Sequence, residues 1–292
     1  MSKPTPFFVE FRGHRIACLA HPAHGGAGTP IVWIHGLTGS VHFWETAMYP
    51  EIQNSRSWYS VGLPLHYPST YTGRITDDSL DEDLLAELVH RVVEHVTGDR
   101  FHLAGYSVGG FAALNYAAKY PDRVASVISV GGFLTGRAKG IEGVVQTIAD
   151  AGLFGRALFH LAYWTMQRHR LFFKLATLTY ARQWRTLLDY PALDTTIRNI
   201  FPDVRRHPIR GQRTWFRYLL KMDLLDETAA ITCPVLVVAG DADPIIPFAH
   251  QERYAGLLPN ARLAVLPGVG HVPFGEAPGA FKKLVLDWLD EH

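Results

Sequence analysis

The segment Gly105–Gly110 sets a serine, Ser107, between glycines and joins two stretches of different pattern. The apolar run Phe101–Ala104 before it predicts a buried strand, and the alanine-rich stretch Val108–Tyr120 after it predicts a helix. Strand and helix approach closely at so tight a turn, so the positions two before and two after the serine must be tiny, and both are glycine. The serine side chain is therefore expected to project from the sheet edge beside a positive helix end, which suits a nucleophile.

A carboxylate and an imidazole follow later in the chain, each after an apolar run. The run Val235–Ala239 leads to two acidic residues, Asp241 and Asp243, and His271 lies in a glycine-rich loop before the last helical pattern. A serine hydroxyl is a weak nucleophile at neutral pH, so it needs an imidazole to take its proton, and the imidazole needs a carboxylate to fix its tautomer. Either aspartate could instead be a turn or capping residue, which is common beside glycine and proline.

The segment around Ser107 resembles the nucleophile elbow of the α/β-hydrolase superfamily, and the chain resembles that superfamily over nearly its whole length. Members carry the serine, then an acid after a late strand, then the histidine, which is the order in this sequence. The resemblance implies that Ser107 is the nucleophile, His271 the base and Asp243 the acid. Asp243 matches the family position better than Asp241 does. Serine at the elbow argues against a dehalogenase or an epoxide hydrolase, for which an aspartate is expected there.

The loop His35–Gly39 follows the apolar run Thr29–Ile34, and the resemblance implies that this loop forms part of an oxyanion hole. In the family, the backbone N–H after the His-Gly pair acts with the N–H after the nucleophile, and these correspond here to Leu37 and Val108. The loop lacks the triple glycine of many lipases and esterases. The segment Gly62–Ser69 also departs from the glycine-rich turn of many relatives, so the pocket wall there is expected to differ.

The elements that must position these residues alternate along the chain. Phe7–Phe11 and Arg15–Leu19 predict a short hairpin, and helical spacing marks Asp77–Val96 and Ala277–Leu289. Short apolar runs between the helical stretches suit strands buried on both faces of a parallel sheet; they are Thr29–Ile34, Trp58–Leu63, Phe101–Ala104, Val124–Val130, Val235–Ala239 and Leu263–Leu266. The alternation predicts an α/β fold with a doubly wound, mostly parallel sheet.

One long stretch interrupts this alternation. Residues 134–226 have a helical, aromatic and arginine-rich pattern and predict a helical cap inserted into a core domain of residues 1–133 and 227–292. Residues 155–222 carry 13 Lys and Arg against 3 Asp and Glu, so a near-neutral total conceals a basic cap on an acidic body. This charge indicates either a solvated face paired with the acidic residues of 77–83 or steering of an anionic substrate or lipid.

The cap sequence also bears on the pocket. Apolar residues recur at mixed helical spacing over 153–175, and most are expected to hold the cap together while some line an acyl or aryl pocket. Tyr106, beside the serine, and Trp164, in the cap, are the predicted substrate-binding residues. His102 is interpreted as core packing, and the role of His66 is left open.

Composition narrows the class of protein. The 292 residues include 28 Lys and Arg against 27 Asp and Glu, so no strong field draws the whole molecule to nucleic acid. Cys18 and Cys233 are too few for a disulfide framework and predict core thiols in a reducing compartment. Residues 1–20 lack a signal-peptide pattern and charges interrupt the apolar tract Leu153–Leu178, so we expect a soluble, cytoplasmic protein without stable membrane insertion. The oligomeric state is left open.

These observations favour a serine hydrolase that cleaves small carboxylic esters through an acyl-enzyme, with moderate-chain or aromatic substrates. The sequence contains no phosphate loop, dinucleotide fingerprint or H-E-x-x-H pair, and neither a cofactor nor a metal is expected. The same three residues would also serve a thioesterase or lipase, an acyltransferase, a carbon–carbon bond hydrolase or a cofactor-free peroxidase-like relative. Outside catalysis, the alternative is a small-molecule receptor that binds without turnover.

Overall fold

The computed structural model describes residues 4–23, 28–96 and 100–292, and a central sheet runs through them. Nine strands are found in these residues, in the spatial order β1-β2-β4-β3-β6-β7-β8-β9, with β5 paired to β2. In chain order they are β1 Thr5–Phe11, β2 His14–His21, β3 Ile31–Ile34, β4 Trp58–Val61, β5 Thr70–Tyr71, β6 Phe101–Tyr106, β7 Val124–Val130, β8 Val235–Gly240 and β9 Ala261–Leu266.

The sheet is parallel from β4 to β9, and only the pairs that involve β2 are antiparallel. The strand order reverses between β3 and β6, which are neighbours in space although β4 and β5 separate them in sequence. Open α/β sheets bind their ligands at such a reversal, outside the carboxyl ends of the strands. The loops that follow β3 and β6 therefore meet at the place where this fold favours a site.

Helices cover both faces of the sheet, and the central strands β3, β7 and β8 are buried almost throughout. The core helices are α1 Trp44–Ala47, α2 Pro50–Ser55, α3 Glu82–Val96, α4 Val108–Lys119, α11 Phe248–Leu257, α12 Pro273–Glu276 and α13 Pro278–Glu291. Strands buried on both faces need apolar residues at every position, which explains why these strands appear in the sequence as continuous apolar runs. The predicted α/β fold with a mostly parallel sheet is confirmed.

Helix α3 begins five residues later than the sequence pattern predicts. The helix was expected from Asp77, but Asp81 accepts a hydrogen bond at its Oδ1 from the N–H of Leu84, at 2.6 Å, and so caps the first turn. Asp77 instead pairs with Arg217. Asp77 and Asp81, which were expected inside the first helical turn, thus lie in the loop before α3, and Asp81 caps the helix.

Six helices lie between β7 and β8, and we refer to residues 140–219 as the inserted helices. They are α5 Gly140–Asp150, α6 Gly152–Arg168, α7 Arg170–Leu178, α8 Trp184–Asp189, α9 Pro191–Val204 and α10 Ile209–Leu219. The two connections meet, since Thr135 and Asp223 form an isolated bridge and the N–H of Leu224 donates to the carbonyl of Leu134 at 3.1 Å. The division into core and cap at residues 134 and 226 stays a prediction.

Several apolar residues of 153–175 that were expected to pack inside the cap lie at its surface. Leu153 is 85% exposed and Phe154 is 80% exposed, and Leu161 and Leu171 are also exposed. They occupy the outer side of α6 and α7, whereas Phe159, Tyr163 and Phe173 are buried. Within the described residues, none of the helices has the length and the apolar composition that crossing a membrane would take. Cys18 and Cys233 are buried free thiols.

Candidate active site

Ser107 occupies the turn between β6 and α4 in a backbone conformation that L-residues rarely adopt. Its φ is 54° and its ψ is −118°, and its N–H donates to the carbonyl of Val130 at the end of β7, at 2.9 Å. The side chain lines a cavity, although the residue is only 5% exposed. Strain of this kind persists where the surrounding structure enforces it, and it is concentrated at functional sites.

The two glycines beside the serine allow the strand and the helix to approach each other. A Cβ on Gly105 would overlap the backbone of Gly109, and a Cβ on Gly109 would overlap the carbonyl of Ile34 in β3. These neighbours are backbone atoms, which cannot rotate away as a side chain could. The predicted need for tiny residues at these two positions is confirmed.

Asp243 and His271 form a hydrogen-bonded pair beyond the ends of β8 and β9. The His271 Nδ1 lies 2.7 Å from Oδ2 of Asp243, and both side chains are fully buried. The other carboxylate oxygen, Oδ1, accepts the N–H groups of Ile245 and Ile246 at 2.8 and 3.0 Å. Asp243 is thus held from both sides, and its Oδ2 fixes the ring of His271 with Nδ1 as the donor.

Asp241, the other acidic candidate, points elsewhere. Its Oδ1 accepts the N–H of Gly268 at 2.6 Å, and the residue is exposed. This bond ties the end of β8 to the loop that follows β9. Of the two aspartates, only Asp243 contacts the imidazole.

The electrostatics of His271 follow from its burial beside a carboxylate. Burial alone lowers the pKa of the imidazole, but the charge and the hydrogen bond of Asp243 outweigh burial, so the pKa of His271 is raised above its ordinary value. The Nε2 atom is buried and makes no hydrogen bond to any residue that the structure describes. Ser107 Oγ and His271 Nε2 are therefore not hydrogen-bonded to each other. Catalytic bonds of this type often tighten only when substrate binds.

Glu276 holds the His271 loop in place and was missed in the sequence. Its carboxylate accepts the N–H groups of Gly270 and Val272, which flank the histidine, at 3.0 and 3.1 Å. It also accepts the N–H groups of Arg182 and Gln183, at 2.8 and 2.7 Å, between α7 and α8. A buried carboxylate with this many donors is a structural clamp. In the sequence, only its position five residues after the histidine could have indicated that Glu276 holds this loop.

The loop His35–Gly39 lies beside the serine, as the resemblance implies. Leu37 lines the same cavity as Ser107, and Thr38 has a φ of 58°. The N–H groups of Leu37 and Val108 make no hydrogen bond to another described residue. A free N–H at the start of a helix and a second in an adjacent loop are the donors that an oxyanion requires.

Two buried histidines fix this loop, and their partners define their tautomers. His35 accepts the N–H of Leu63 at Nε2, at 3.2 Å, so its Nδ1 donates to the carbonyl of Gly36, at 2.7 Å. His207, from the turn between α9 and α10, accepts the N–H of Tyr67 at Nδ1, at 2.9 Å, and donates from Nε2 to the carbonyl of Gly39, at 2.9 Å. Burial lowers the pKa of His35 to about 4 and that of His207 to about 3, so both rings are neutral.

The other two histidines named in the sequence lie outside the site. His66 packs edge-on against His35, His207 and Trp215 under the loop, and burial lowers its pKa well below the ordinary value. It does not line the cavity. His102 is buried in β6 and lies 2.9 Å from the hydroxyl of Ser126, which agrees with a packing role.

A cavity of about 370 Å³ extends from Ser107 into the inserted helices. Tyr106 lines it, and its role in binding substrate stays a prediction. The prediction for Trp164 is wrong, because α6 turns Phe159, Ala162 and Tyr163 to the cavity whereas Trp164 is 47% exposed and does not line it. The cavity wall is mostly apolar.

The residues that form the cavity wall are Gly36, Leu37, Thr38, Gly39, Phe43, Ala47, Tyr106, Ser107, Ile141, Glu142, Val145, Phe159, Ala162, Tyr163, Thr165, Met166, Phe172, Phe173, Ala176, Thr177, Thr179, Tyr180, Leu187, Tyr190, Leu193, Thr196, Ile197, Ile200, Phe216, Val272 and Phe274.

The fold agrees with a comparison to known protein families. The model of the alpha/beta hydrolase fold matches residues 29–278, and the chain belongs to that family. It is 27% identical over 281 residues to a candidate carbamate hydrolase of Caulobacter sp. strain K31, with 93% of this chain and 95% of the relative covered.

Two further matches are similarly distant. The chain is 24% identical to the 2-hydroxy-6-oxo-6-phenylhexa-2,4-dienoate hydrolase of Burkholderia cepacia, over 92% of this chain and 90% of the relative. Among solved structures, an esterase of Exiguobacterium antarcticum superposes with a TM-score of 0.77 at 17% identity, over 98% of this chain and 100% of the other. The two relatives are named as hydrolases of different compounds, which agrees with the family and leaves the substrate open, and the esterase shows only that the fold is shared.

Proposed function

We propose that this protein is a serine hydrolase that cleaves carboxylic esters through an acyl-enzyme. The observation that carries the proposal is the 2.7 Å contact between Nδ1 of His271 and Oδ2 of Asp243, beside the strained turn of Ser107. This pair leaves Nε2 of the histidine as a proton acceptor. A buried imidazole of this kind can take the proton of a serine hydroxyl.

In the proposed reaction, Ser107 Oγ attacks the ester carbonyl and passes its proton to Nε2 of His271. Asp243 stabilises the imidazolium that forms, because its carboxylate already accepts the Nδ1 proton. The N–H groups of Leu37 and Val108 bind the tetrahedral oxyanion. His271 then protonates the leaving alcohol, and a water molecule that it activates hydrolyses the acyl-enzyme.

The proposed substrates are esters with a moderate aliphatic chain or an aromatic acyl group. Support comes from the cavity, whose wall is mostly aliphatic and aromatic and whose volume is about 370 Å³. In this proposal the inserted helices form a cap that shields the acyl-enzyme from bulk water. A chain-length series of nitrophenyl esters tests it, since cleavage of acetate alone would contradict the proposed pocket.

Replacing Ser107 with alanine is the decisive test of the nucleophile. We expect a loss of about 10⁶ in kcat with the fold retained, because the triad acts as a unit. Mass spectrometry after treatment with a fluorophosphonate should show one adduct on Ser107 in the wild type and none in the variant. Unchanged ester cleavage by the alanine variant would refute the proposal.

The two aspartates form a matched pair for the role of the acid. Asp243→Asn should lower kcat by about 10⁴, because the imidazole would lose its correct tautomer. Asp241→Asn makes the same chemical change at a carboxylate whose partner among the described residues is the N–H of Gly268. Its kcat should stay within about tenfold of the wild type. Greater sensitivity at Asp241 would overturn the assignment.

A panel of esters, thioesters, amides and carbon–carbon cleavage substrates separates the proposed esterase from the other hydrolases and from an acyltransferase. We expect the highest kcat/KM for the esters. Multiple product molecules for each protein molecule distinguish an enzyme from a receptor, which would give one slow event and a modified protein.

A further inference from the structure

Glu142 is a buried carboxylate in the wall of the cavity, and the mechanism above does not use it. It lies in the first turn of α5, is 3% exposed, and is the one acidic or basic side chain among the described residues of the cavity wall. Its Oε2 is buried and makes no hydrogen bond to a described residue. Buried polar groups nearly always have partners, so this carboxylate requires an explanation.

The position of α5 brings Glu142 to the catalytic side of the cavity. The N–H of Lys139 donates to the carbonyl of Ile245 at 2.8 Å. Gly140 has a φ of 56°, and a Cβ there would lie 2.6 Å from the carbonyl oxygen of Pro244. Pro244 and Ile245 directly follow Asp243, so the start of α5 is packed on the loop that carries the acid of the proposed triad.

A structural role does not account for Glu142. Gln146, one turn further along α5, is equally buried, but its amide bonds both the N–H of Ala138 and the carbonyl of Gly136, at 3.1 and 2.7 Å. Glu142 makes no comparable bond to any residue in the described part of the chain. An unpaired carboxylate in an apolar wall destabilises a protein unless a partner arrives with the ligand.

The two charged groups that shift the pKa of Glu142 are His271 and Asp243, which belong to the site already described. Burial raises the pKa of Glu142 to about 7, with His271 lowering it and Asp243 raising it. The phenols of Tyr106 and Tyr180 also face it, and their pKa values are raised by burial and in part by this carboxylate. None of these groups is a permanent cation, so the ionised carboxylate faces no fixed counter-charge among them.

We propose that Glu142 binds a protonated amino group of the substrate inside the cavity, which narrows the proposed substrates to esters that carry a basic nitrogen. The inference rests on the proposed hydrolase function. An ammonium group supplies both the charge and the hydrogen-bond donor that Oε2 lacks. The aromatic faces of Tyr106 and Tyr180 add favourable contacts to a cation, and the apolar wall accommodates the carbon chain.

Matched substrates test this inference. The 4-nitrophenyl esters of β-alanine and 6-aminohexanoic acid are compared with the butanoate and heptanoate esters, in which a methyl group replaces the ammonium. We expect at least one amino ester to exceed its methyl-terminated counterpart in kcat/KM by about 10-fold or more, the size of one charge-assisted hydrogen bond. The 6-hydroxyhexanoate ester is the neutral polar control, and a preference for it over both amino esters would overturn the inference.

The variant Glu142→Gln removes the charge and keeps the shape. We expect it to lower kcat/KM for the preferred amino ester by about 10- to 100-fold more than for the methyl-terminated ester. Glu252→Gln is the matched control, because Glu252 is an exposed glutamate of α11 outside the cavity. An equal effect of Glu142→Gln on both esters, or a wild type without amine preference, would refute the role of Glu142.

A binding measurement keeps this inference separate from the proposed reaction. Isothermal titration of Ser107→Ala with hexylammonium and with 1-hexanol requires no turnover. We expect tighter binding of the ammonium, and loss of that preference in the double variant Ser107→Ala, Glu142→Gln. Amine binding without ester cleavage by the wild type would refute the hydrolase and retain the amine site. Ester cleavage without an amine preference would refute the amine site and retain the hydrolase.

Discussion

Replacing Glu142 with glutamine should stabilise the protein at alkaline pH and leave its stability nearly unchanged at acid pH. The side chain is buried, and its pKa rises from 4.5 to about 7 on folding because burial penalises the charged form. Between these two values the folded state binds more protons at this site than the unfolded state. The free energy of unfolding therefore falls as the pH rises through this window.

The size of the effect follows from the interval between the two pKa values. At about 1.4 kcal/mol for each pH unit, the wild type loses about 3 kcal/mol of stability from this group between pH 4 and pH 8.5. Glutamine does not titrate, so the stability of the variant relative to the wild type should rise by this amount across the same range. Titrating groups that do not interact with Glu142 cancel in the comparison. The exceptions are His271, Tyr106 and Tyr180, whose pKa values this carboxylate helps to raise.

Urea unfolding followed by tryptophan fluorescence at several pH values measures this difference directly. Glu252→Gln, at an exposed glutamate outside the cavity, is the control for the substitution itself. Hexylammonium at pH 8.5 should stabilise the wild type more than the Glu142→Gln variant, because the amine binds the ionised form. A stability difference between variant and wild type that is constant from pH 4 to pH 8.5 would show that burial does not perturb Glu142, and the reasoning would fail.

Three further predictions concern the turn, the loop and the base. Gly109→Ala should lower the free energy of unfolding by at least about 2 kcal/mol in urea denaturation, because its Cβ meets backbone; a smaller loss would show that the turn can yield. His207→Ala should lower kcat up to about 10²-fold with little change in KM in steady-state assays, since a displaced oxyanion loop affects the transition state most; a change in KM alone would contradict this. The kcat/KM profile should fall with decreasing pH at a midpoint above 6.5, because the pKa of His271 is raised and only the neutral ring acts as base. Asp243→Asn should shift that midpoint downward, and an unchanged midpoint would contradict the role of the carboxylate.

The sequence predicted the parts of this fold that depend on local pattern. Continuous apolar runs identify β7 and β8 because a strand buried on both faces needs apolar residues throughout. Gly105 and Gly109 identify the turn because backbone contact excludes any side chain there. The predicted start of α3 was wrong because several acidic residues precede the helix, and only the capping contact of Asp81 distinguishes among them.

Other features depend on contacts between residues far apart in the chain. Glu142 in sequence is an acidic residue near a helix start, the usual pattern of a solvated side chain, and only its burial against the loop after β8 makes it unusual. His207 lies 168 positions from Gly39, whose carbonyl it binds. Trp164 failed as a pocket residue because the sequence does not show which face of α6 turns inward.

The contacts of α10 bear on how a ligand reaches the serine. Trp215 and Gln212 donate to the carbonyls of Pro64 and Leu65, at 2.7 and 2.9 Å, and His207 bonds to Gly39 just before the helix. That side of the inserted helices is hydrogen-bonded to the loop His35–Gly39 and to the segment after β4, so moving it outward would displace the loop that carries Leu37, one of the two proposed oxyanion donors. An entrance near Phe172 of α7 would require no such movement, since this residue lies in the cavity wall and is 45% exposed.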